Sequence, residues 1–235
     1  MLTCYITDRL CLVTDNGPNN GGALLHAIAR AARCGVDFIQ LREKDLSPRA
    51  LESLAVAALA AIAGTKTQLL INSRIDVAIA AGVNGVHLTA AAGELTAGDA
   101  RSIFHKTGIT RPCIGVSCHT SEEVASVEAH GADFALFAPV FEKDGTQQSA
   151  GLDRLAQACK RPGAAAARMP VLALGGVTAE NAAQCLAAGA DGIAGIRLFQ
   201  QASDSDLEAL MHRLRQLSLS SARAASATRH PYWPE

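Results

Sequence analysis

Apolar and polar positions along this chain recur as one phrase, repeated four times: an Ala-rich helical run, a Gly, then Val or Ala, then Asp or Asn, then a short apolar stretch. The copies run over 31–39, 80–87, 129–136 and 187–194, with their glycines at Gly35, Gly82, Gly131 and Gly189. A Gly after an amphipathic run supplies the left-handed residue that ends a helix, and the apolar stretch behind it has strand character. The glycines lie 47, 49 and 58 residues apart, so each interval holds two strand–helix units and four copies imply eight. Eight such units predict a single (βα)8 TIM barrel of the α/β class, which typically needs about 250 residues.

The expected strands are Leu10–Thr14, Asp37–Leu41, Gln68–Ile71, Gly85–Leu88, Cys113–Val116, Asp133–Phe137, Val171–Leu174 and Asp191–Gly195. They are nearly all apolar, as strands covered on both faces must be. Ser47 before Pro48 marks a helix start running to about Ala63, and Thr120-Ser-Glu-Glu123 has the spacing of a capping box. The barrel is expected to occupy residues 1–217. The small, polar stretch 218–235 reads as a loosely ordered tail.

Composition narrows the class. With 235 residues and 49% apolar content, one large domain accounts for the repeat. A net charge of −1 argues against nucleic acid or membrane held by bulk electrostatics. The start of the chain lacks a secretory pattern, and no apolar run reaches the ~18 residues that span a bilayer. Seven cysteines without Cys-x-x-Cys spacing read as reduced thiols of a cytoplasmic protein. The expected partner is a small phosphorylated molecule, and a homo-oligomer is left open.

A barrel of this kind builds its site from the loops after each strand's carboxyl end. Behind the second strand stand Gln40, Arg42 and Lys44, which period-2 alternation sends to one side; a cation pair with an amide suits phosphate or diphosphate oxygens. Asn72, Ser73 and Arg74 follow the third strand, and Ser117, Cys118 and His119 the fifth. His119 is the one histidine that falls directly at a strand end before a helix start, whereas His87, inside the fourth strand, reads as a satisfied barrel histidine. Gly175-Gly176 and Ile196-Arg197 follow the last two strands, where such barrels hold phosphate on backbone N–H groups. Arg197 adds a cation there, with Glu180 or Asp191 as alternative partners.

Six stretches in order, Leu12-Val13-Thr14-Asp15, Gln40–Lys44, Ile71-Asn72-x-Arg74-x-Asp76, Gly85–Leu88, Gly115–Thr120 and Leu174–Val177, resemble the thiamine phosphate synthase family and its relative, the thiazole tautomerase TenI. The resemblance covers roughly residues 10 to 200. It implies that Gln40, Arg42, Lys44 and Asn72 meet a pyrimidine diphosphate, and that Gly176, Ile196 and Arg197 meet a thiazole phosphate. The synthase pattern carries an aspartate after the third strand and another after the fourth, which hold magnesium on the departing diphosphate. Here those positions are Ser73 and Ala92, and neither can replace an anion. Pro139–Gly145 resembles the tautomerase in the same region, and it brings Glu142 beside Ser117 as an expected substrate contact. The resemblance thus implies a metal-independent thiazole tautomerase with no cofactor, in which His119 shifts one proton on a carboxythiazole phosphate. The alternatives are a divergent thiamine phosphate synthase and a non-catalytic or regulatory phosphate-binding barrel.

Overall fold

The computed structural model describes residues 1–7, 21–91, 93–141, 149–160 and 168–224, the side chains of 21, 149–150 and 218–224 excepted. Eight parallel strands form a closed barrel in chain order: β1 (Leu2–Ile6), β2 (Phe38–Leu41), β3 (Gln68–Asn72), β4 (Gly85–Thr89), β5 (Cys113–Cys118), β6 (Phe134–Phe137), β7 (Val171–Ala173) and β8 (Gly192–Gly195). Outside them lie α1 (Gly21–Arg33), α2 (Pro48–Ala61), α3 (Ile75–Ala80), α4 (Ala97–Lys106), α5 (Ser121–Ala129), α6 (Ser149–Cys159), α7 (Ala182–Ala187), α8 (Arg197–Gln200) and α9 (Asp204–Ala224). None of the described helices is long and apolar enough to cross a membrane.

The first strand departs from expectation. Leu2–Ile6, not Leu10–Thr14, pairs with β2 and β8, and residues 8–20 lie outside the described residues. Cys4-Tyr5-Ile6-Thr7-Asp8 and Cys11-Leu12-Val13-Thr14-Asp15 repeat one pattern seven residues apart, so hydrophobicity alone does not choose between them. A hydroxyl does. The Thr3 backbone N–H and Oγ1 donate to Asp37 Oδ2 at 2.8 and 2.7 Å, and Asp37 N donates back to Thr3 Oγ1 at 3.1 Å. Seven residues on, the equivalent of Thr3 is Leu10, which has no such group.

The aspartates of the repeated phrase share this task. Asp133, ahead of β6, accepts the Ile114 N–H of β5 at 2.7 Å, and Asp191, ahead of β8, accepts the Val171 N–H of β7 at 3.0 Å. Each carboxylate therefore ties the entry of an odd strand to the even strand that follows it. A hydrogen bond to a charged acceptor typically contributes about 1.5–3 kcal/mol. The fourth copy has Asn84 at this position.

Alternation divides the strand residues into two packed layers. Ile39, Leu41, Ile71, Val86, Val116, Phe137 and their like meet the helices. Cys4, Ile6, Phe38, Leu70, Phe134, Leu136, Leu172 and Ala194 fill the barrel. Phe38 and Phe134 stack inside it with centroids 4.6 Å apart. Ser47 caps α2 as expected, accepting the Ala50 N–H at 3.3 Å. Helix α9 continues to Ala224, past residue 217, and Arg215 Nη2 fastens it to the carbonyls of Cys34 and Gly35 at 3.0 and 3.2 Å.

Closure of β8 against β1 depends on Gly192. A Cβ there would sit 2.2 Å from the Leu2 carbonyl oxygen and 2.8 Å from its carbon, both backbone atoms that cannot swing aside. Gly192→Ala is expected to destabilise the fold by about 3 kcal/mol in a urea titration, the upper range for overpacking; a change within experimental error would show that the β1–β8 seam yields.

Candidate active site

The two-residue period that packs Phe38, Leu70 and their neighbours inside the barrel carries four polar side chains to its carboxyl mouth: Gln40 on β2, Asn72 on β3, His87 on β4 and Ser117 on β5. They meet in pairs. Gln40 Nε2 donates to Asn72 Oδ1 at 2.8 Å, and Asn72 Nδ2 donates on to Ser73 Oγ at 3.3 Å. Gln40 is only 2% exposed, and its Oε1 has no partner among the described residues. His87 Nε2 lies 2.8 Å from Ser117 Oγ, while its buried Nδ1 has no partner among the described residues.

His87 is thus only half satisfied, in contrast to the expected fully bonded barrel histidine. Burial, and then the Arg42 charge, pull its pKa down to about 3, so the ring is neutral. Of its two tautomers, the one protonated at Nε2 leaves a bare lone pair buried instead of an orphaned N–H, and orphaned buried N–H groups are the rarer. We assign that tautomer. The ring then donates to Ser117 and leaves the serine hydroxyl proton free to point into the mouth. Gly115 makes room for this arrangement, since a Cβ there would come within 2.8 Å of His87 Nδ1 and 2.4 Å of Phe134 Cζ.

Beyond this layer the chain turns outward. Arg42 is half-buried, and its N–H donates to Thr7 Oγ1 at 3.0 Å, which fixes the exit of β2 against that of β1. Thr7 is fully buried and is not among the expected site residues, since the expected first strand starts eight positions later; the repeated Ile6-Thr7-Asp8 pattern is the signal that points to it. Lys44 does not share the strand alternation. β2 ends at Leu41, and Lys44 stands exposed in the turn that follows.

His119 is exposed at the end of β5. Its Nδ1 lies 2.6 Å from the Ala138 carbonyl oxygen, which can only accept, so Nδ1 carries a proton, and in the neutral ring Nε2 is the acceptor. Its backbone N–H donates to Glu123 Oε2 at 2.5 Å. The expected capping box is therefore only half formed: Thr120 Oγ1 accepts the Glu123 N–H at 3.1 Å, but the Glu123 carboxylate reaches His119 instead of Thr120. Glu142 lies outside the described residues, as does Ala92.

Ser73 has φ 58, left-handed backbone that is uncommon for a residue with a side chain and most readily adopted by Gly, Asn and Asp. Its side chain is neutral, and the nearby Asp76 is held by Arg74 in a two-pronged pair at 2.6 and 2.9 Å. The Arg74 bond keeps the Asp76 carboxyl below the usual range. At the position of the first aspartate of the synthase pattern the donor is thus a hydroxyl, which does not replace a carboxylate on magnesium. Among the described residues no cluster of three His, Cys, Asp or Glu side chains could hold a metal.

On the far side of the mouth, Gly175 and Gly176 follow β7 with φ 94 and 62. A side chain on Gly175 would strike Pro139 Cα at 2.8 Å. Asn181 Nδ2 braces the Gly176 carbonyl at 3.0 Å. Ile196 stands half-buried between β8 and α8, no side chain caps that short helix, and Arg197 is exposed at its first position. Asp191 lies at the opposite end of β8 and is 3.7 Å from Arg168, so it is not a partner for Arg197.

Comparison with known proteins agrees with the fold. A family model described as thiamine monophosphate synthase matches residues 10–199. A putative thiamine-phosphate synthase of Geobacter sulfurreducens is 40% identical over 190 residues, 79% of this chain and 83% of the relative. A thiamine-phosphate synthase of Methanoculleus marisnigri is 38% identical over 188 residues, 79% and 84% of the two chains. Among solved structures, thiamine phosphate pyrophosphorylase from Pyrococcus furiosus superposes with a TM-score of 0.72 at 25% identity, covering 94% of this chain and 96% of the other.

The buried His87 makes stability depend on pH with a definite sign. Its folded pKa of about 3 lies below the ordinary 6.5, so the unfolded chain takes up the proton first as pH falls. The contribution of the neutral ring is complete above about pH 6.5 and is lost progressively below it. His87→Gln retains a donor for Ser117 and removes the titration. The slope of unfolding free energy below about pH 6.5 should become shallower by up to about 1.4 kcal/mol per pH unit; an unchanged slope would mean His87 is not held neutral.

Proposed function

The chain belongs to the thiamine monophosphate synthase family, and from that premise we propose that it acts as a thiamine-phosphate synthase, joining a pyrimidine carried as its diphosphate to a thiazole phosphate. The observation that carries this reading is the Gln40–Asn72 pair at the mouth beside Arg42, across from the glycine turn after β7 and the start of α8. Two phosphate-bearing substrates need two grips, and a single barrel mouth offers both. Relatives 40% and 38% identical that bear the synthase name support the same reading.

The residues divide the work as follows. Gln40 and Asn72 orient the pyrimidine end, with the unpartnered Gln40 Oε1 available to a ring donor. Arg42 and Lys44 meet the diphosphate oxygens, and the Ser117 hydroxyl, turned outward by His87, donates to the same anion. The bond from the pyrimidine methylene to the diphosphate oxygen breaks, and its electron pair leaves with the diphosphate. The thiazole nitrogen lone pair then forms the new carbon–nitrogen bond. Backbone N–H groups near Gly176 and Ile196, with Arg197, hold the thiazole phosphate. Because the donors at Ser73 do not suit magnesium, the leaving-group charge falls on the two cations, fixed where that charge develops.

A second reading, thiazole tautomerase, is favoured by one observation: the imidazole of His119 is held by Ala138 with Nε2 left to accept a proton. That reaction moves a proton and needs no metal.

One preparation offered both substrate sets, with and without magnesium, separates the two. Condensation to thiamine phosphate is expected, and a chelator should lower it by less than about tenfold, because Arg42 and Lys44 carry the electrostatic stabilisation. Conversion of the thiazole tautomer without any condensation would replace the synthase reading with the tautomerase one.

His119→Asn gives an independent check. Tautomer conversion, if present, should fall by about 10²–10⁴-fold, while condensation stays within a few-fold. An equal collapse of condensation would make His119 part of the synthase chemistry.

A further inference from the structure

Two residues of the candidate site, Gln40 and Arg42, flank Leu41 at the end of β2, and one residue at the exit of β1 holds both. The ladder between β1 and β2 pairs Cys4 with Phe38, Tyr5 with Ile39 and Ile6 with Gln40. The Thr7 N–H extends it, donating to the Gln40 carbonyl at 2.9 Å. In a regular parallel ladder the next rung would run from the Arg42 N–H back to the Thr7 carbonyl. Here the Arg42 N–H meets Thr7 Oγ1 at 3.0 Å. The hydroxyl thus stands in for a main-chain acceptor where the two strands part, a role open to threonine side chains. Thr7 is fully buried, so bulk water does not compete for that oxygen.

What this clamp holds is a charge. Arg42 is half-buried, and His87 inside the barrel loses its proton first to burial and then to the Arg42 guanidinium, which places that charge over the mouth. The turn beyond is closed by the Leu46 N–H on the Glu43 carbonyl at 3.4 Å, a long bond. A cation carried just past a strand end keeps its place only where the backbone beneath it is held. Small misplacements of such a group are costly to binding and to charge stabilisation.

We propose that Thr7 is a positioning residue for the diphosphate grip: by holding the Arg42 backbone from below, it fixes the Arg42 guanidinium where the diphosphate oxygens come to lie. This rests on the synthase reading above and adds to it a residue that touches no substrate.

The full chain titrated calorimetrically with inorganic pyrophosphate provides the test. Thr7→Val keeps the shape of the side chain and removes the acceptor. It should weaken pyrophosphate binding by about tenfold and lower kcat/KM for the pyrimidine diphosphate to the same extent, while affinity for thiazole phosphate stays within about twofold. Thr7→Ser keeps the hydroxyl and should bind pyrophosphate within about twofold of the unsubstituted chain. If Thr7→Val does not fold, Thr7→Cys, which offers a weaker acceptor, should show the same selective loss at about threefold. In an Arg42→Gln background the Thr7 substitution should have no further effect on pyrophosphate, because Thr7 acts through Arg42. Pyrophosphate affinity indifferent to the hydroxyl, a loss shared equally with thiazole phosphate, or additive effects in the double variant would overturn the proposal and leave the synthase reading standing. An unsubstituted chain that binds no pyrophosphate would remove the diphosphate grip itself, and this proposal with it.

Discussion

The molecule depends on the carboxylates that stand between a helix end and a strand start. Asp37, Asp133 and Asp191 each accept the first N–H groups of the preceding odd strand, and in doing so register two neighbouring strands at once. In a closed parallel barrel no strand can shift its register without disturbing all the others, so fixing three of the eight junctions constrains the whole ring. The interior then follows by alternation. Large apolar residues fill the amino-terminal two-thirds of the barrel, and the next inward positions, Gln40, Asn72, His87 and Ser117, come out at the carboxyl mouth.

Those four residues have an energetic cost that the fold meets unevenly. Gln40 and His87 are almost wholly buried, yet each leaves one polar atom without a partner among the described residues. A buried polar atom left unmet typically costs about 1–3 kcal/mol. Such atoms at the mouth of a barrel are what a polar substrate would satisfy. The neutrality of His87 belongs to the same economy: next to Arg42, a second positive charge in the barrel would be costly, and the ring gives up its proton instead.

The two ends of the barrel differ in kind. At the carboxyl mouth, neutral amides and hydroxyls sit beneath cations carried on turns. At the amino mouth, a buried aromatic pair lies beneath guanidiniums, two of which, Arg101 and Arg168, tie the chain together through Asp133 and Asp191. Arg101 bonds the Pro112 and Gly131 carbonyls as well as Asp133, so the same cation serves the fold and the charge of the opening.

The repeated Gly–Val/Ala–Asp phrase is local information: a left-handed helix end and an apolar run are properties of a few adjacent residues, and seven of the eight strands and the barrel itself were legible from them. The positions of Gln40, Asn72, Ser117 and His119 at strand ends were legible for the same reason, because alternation with period two needs no partner. The first strand was not, since two near-identical copies satisfied every local rule and only the contact of Thr3 with Asp37, thirty-four positions away, separates them. The orientation of His119 toward Ala138, the bond of His87 to Ser117 and the turn that carries Lys44 out of the alternation were decided in the same way. Each depends on which atom of a distant strand or turn lies within hydrogen-bond reach, a distance that folding sets and no run of neighbouring residues contains.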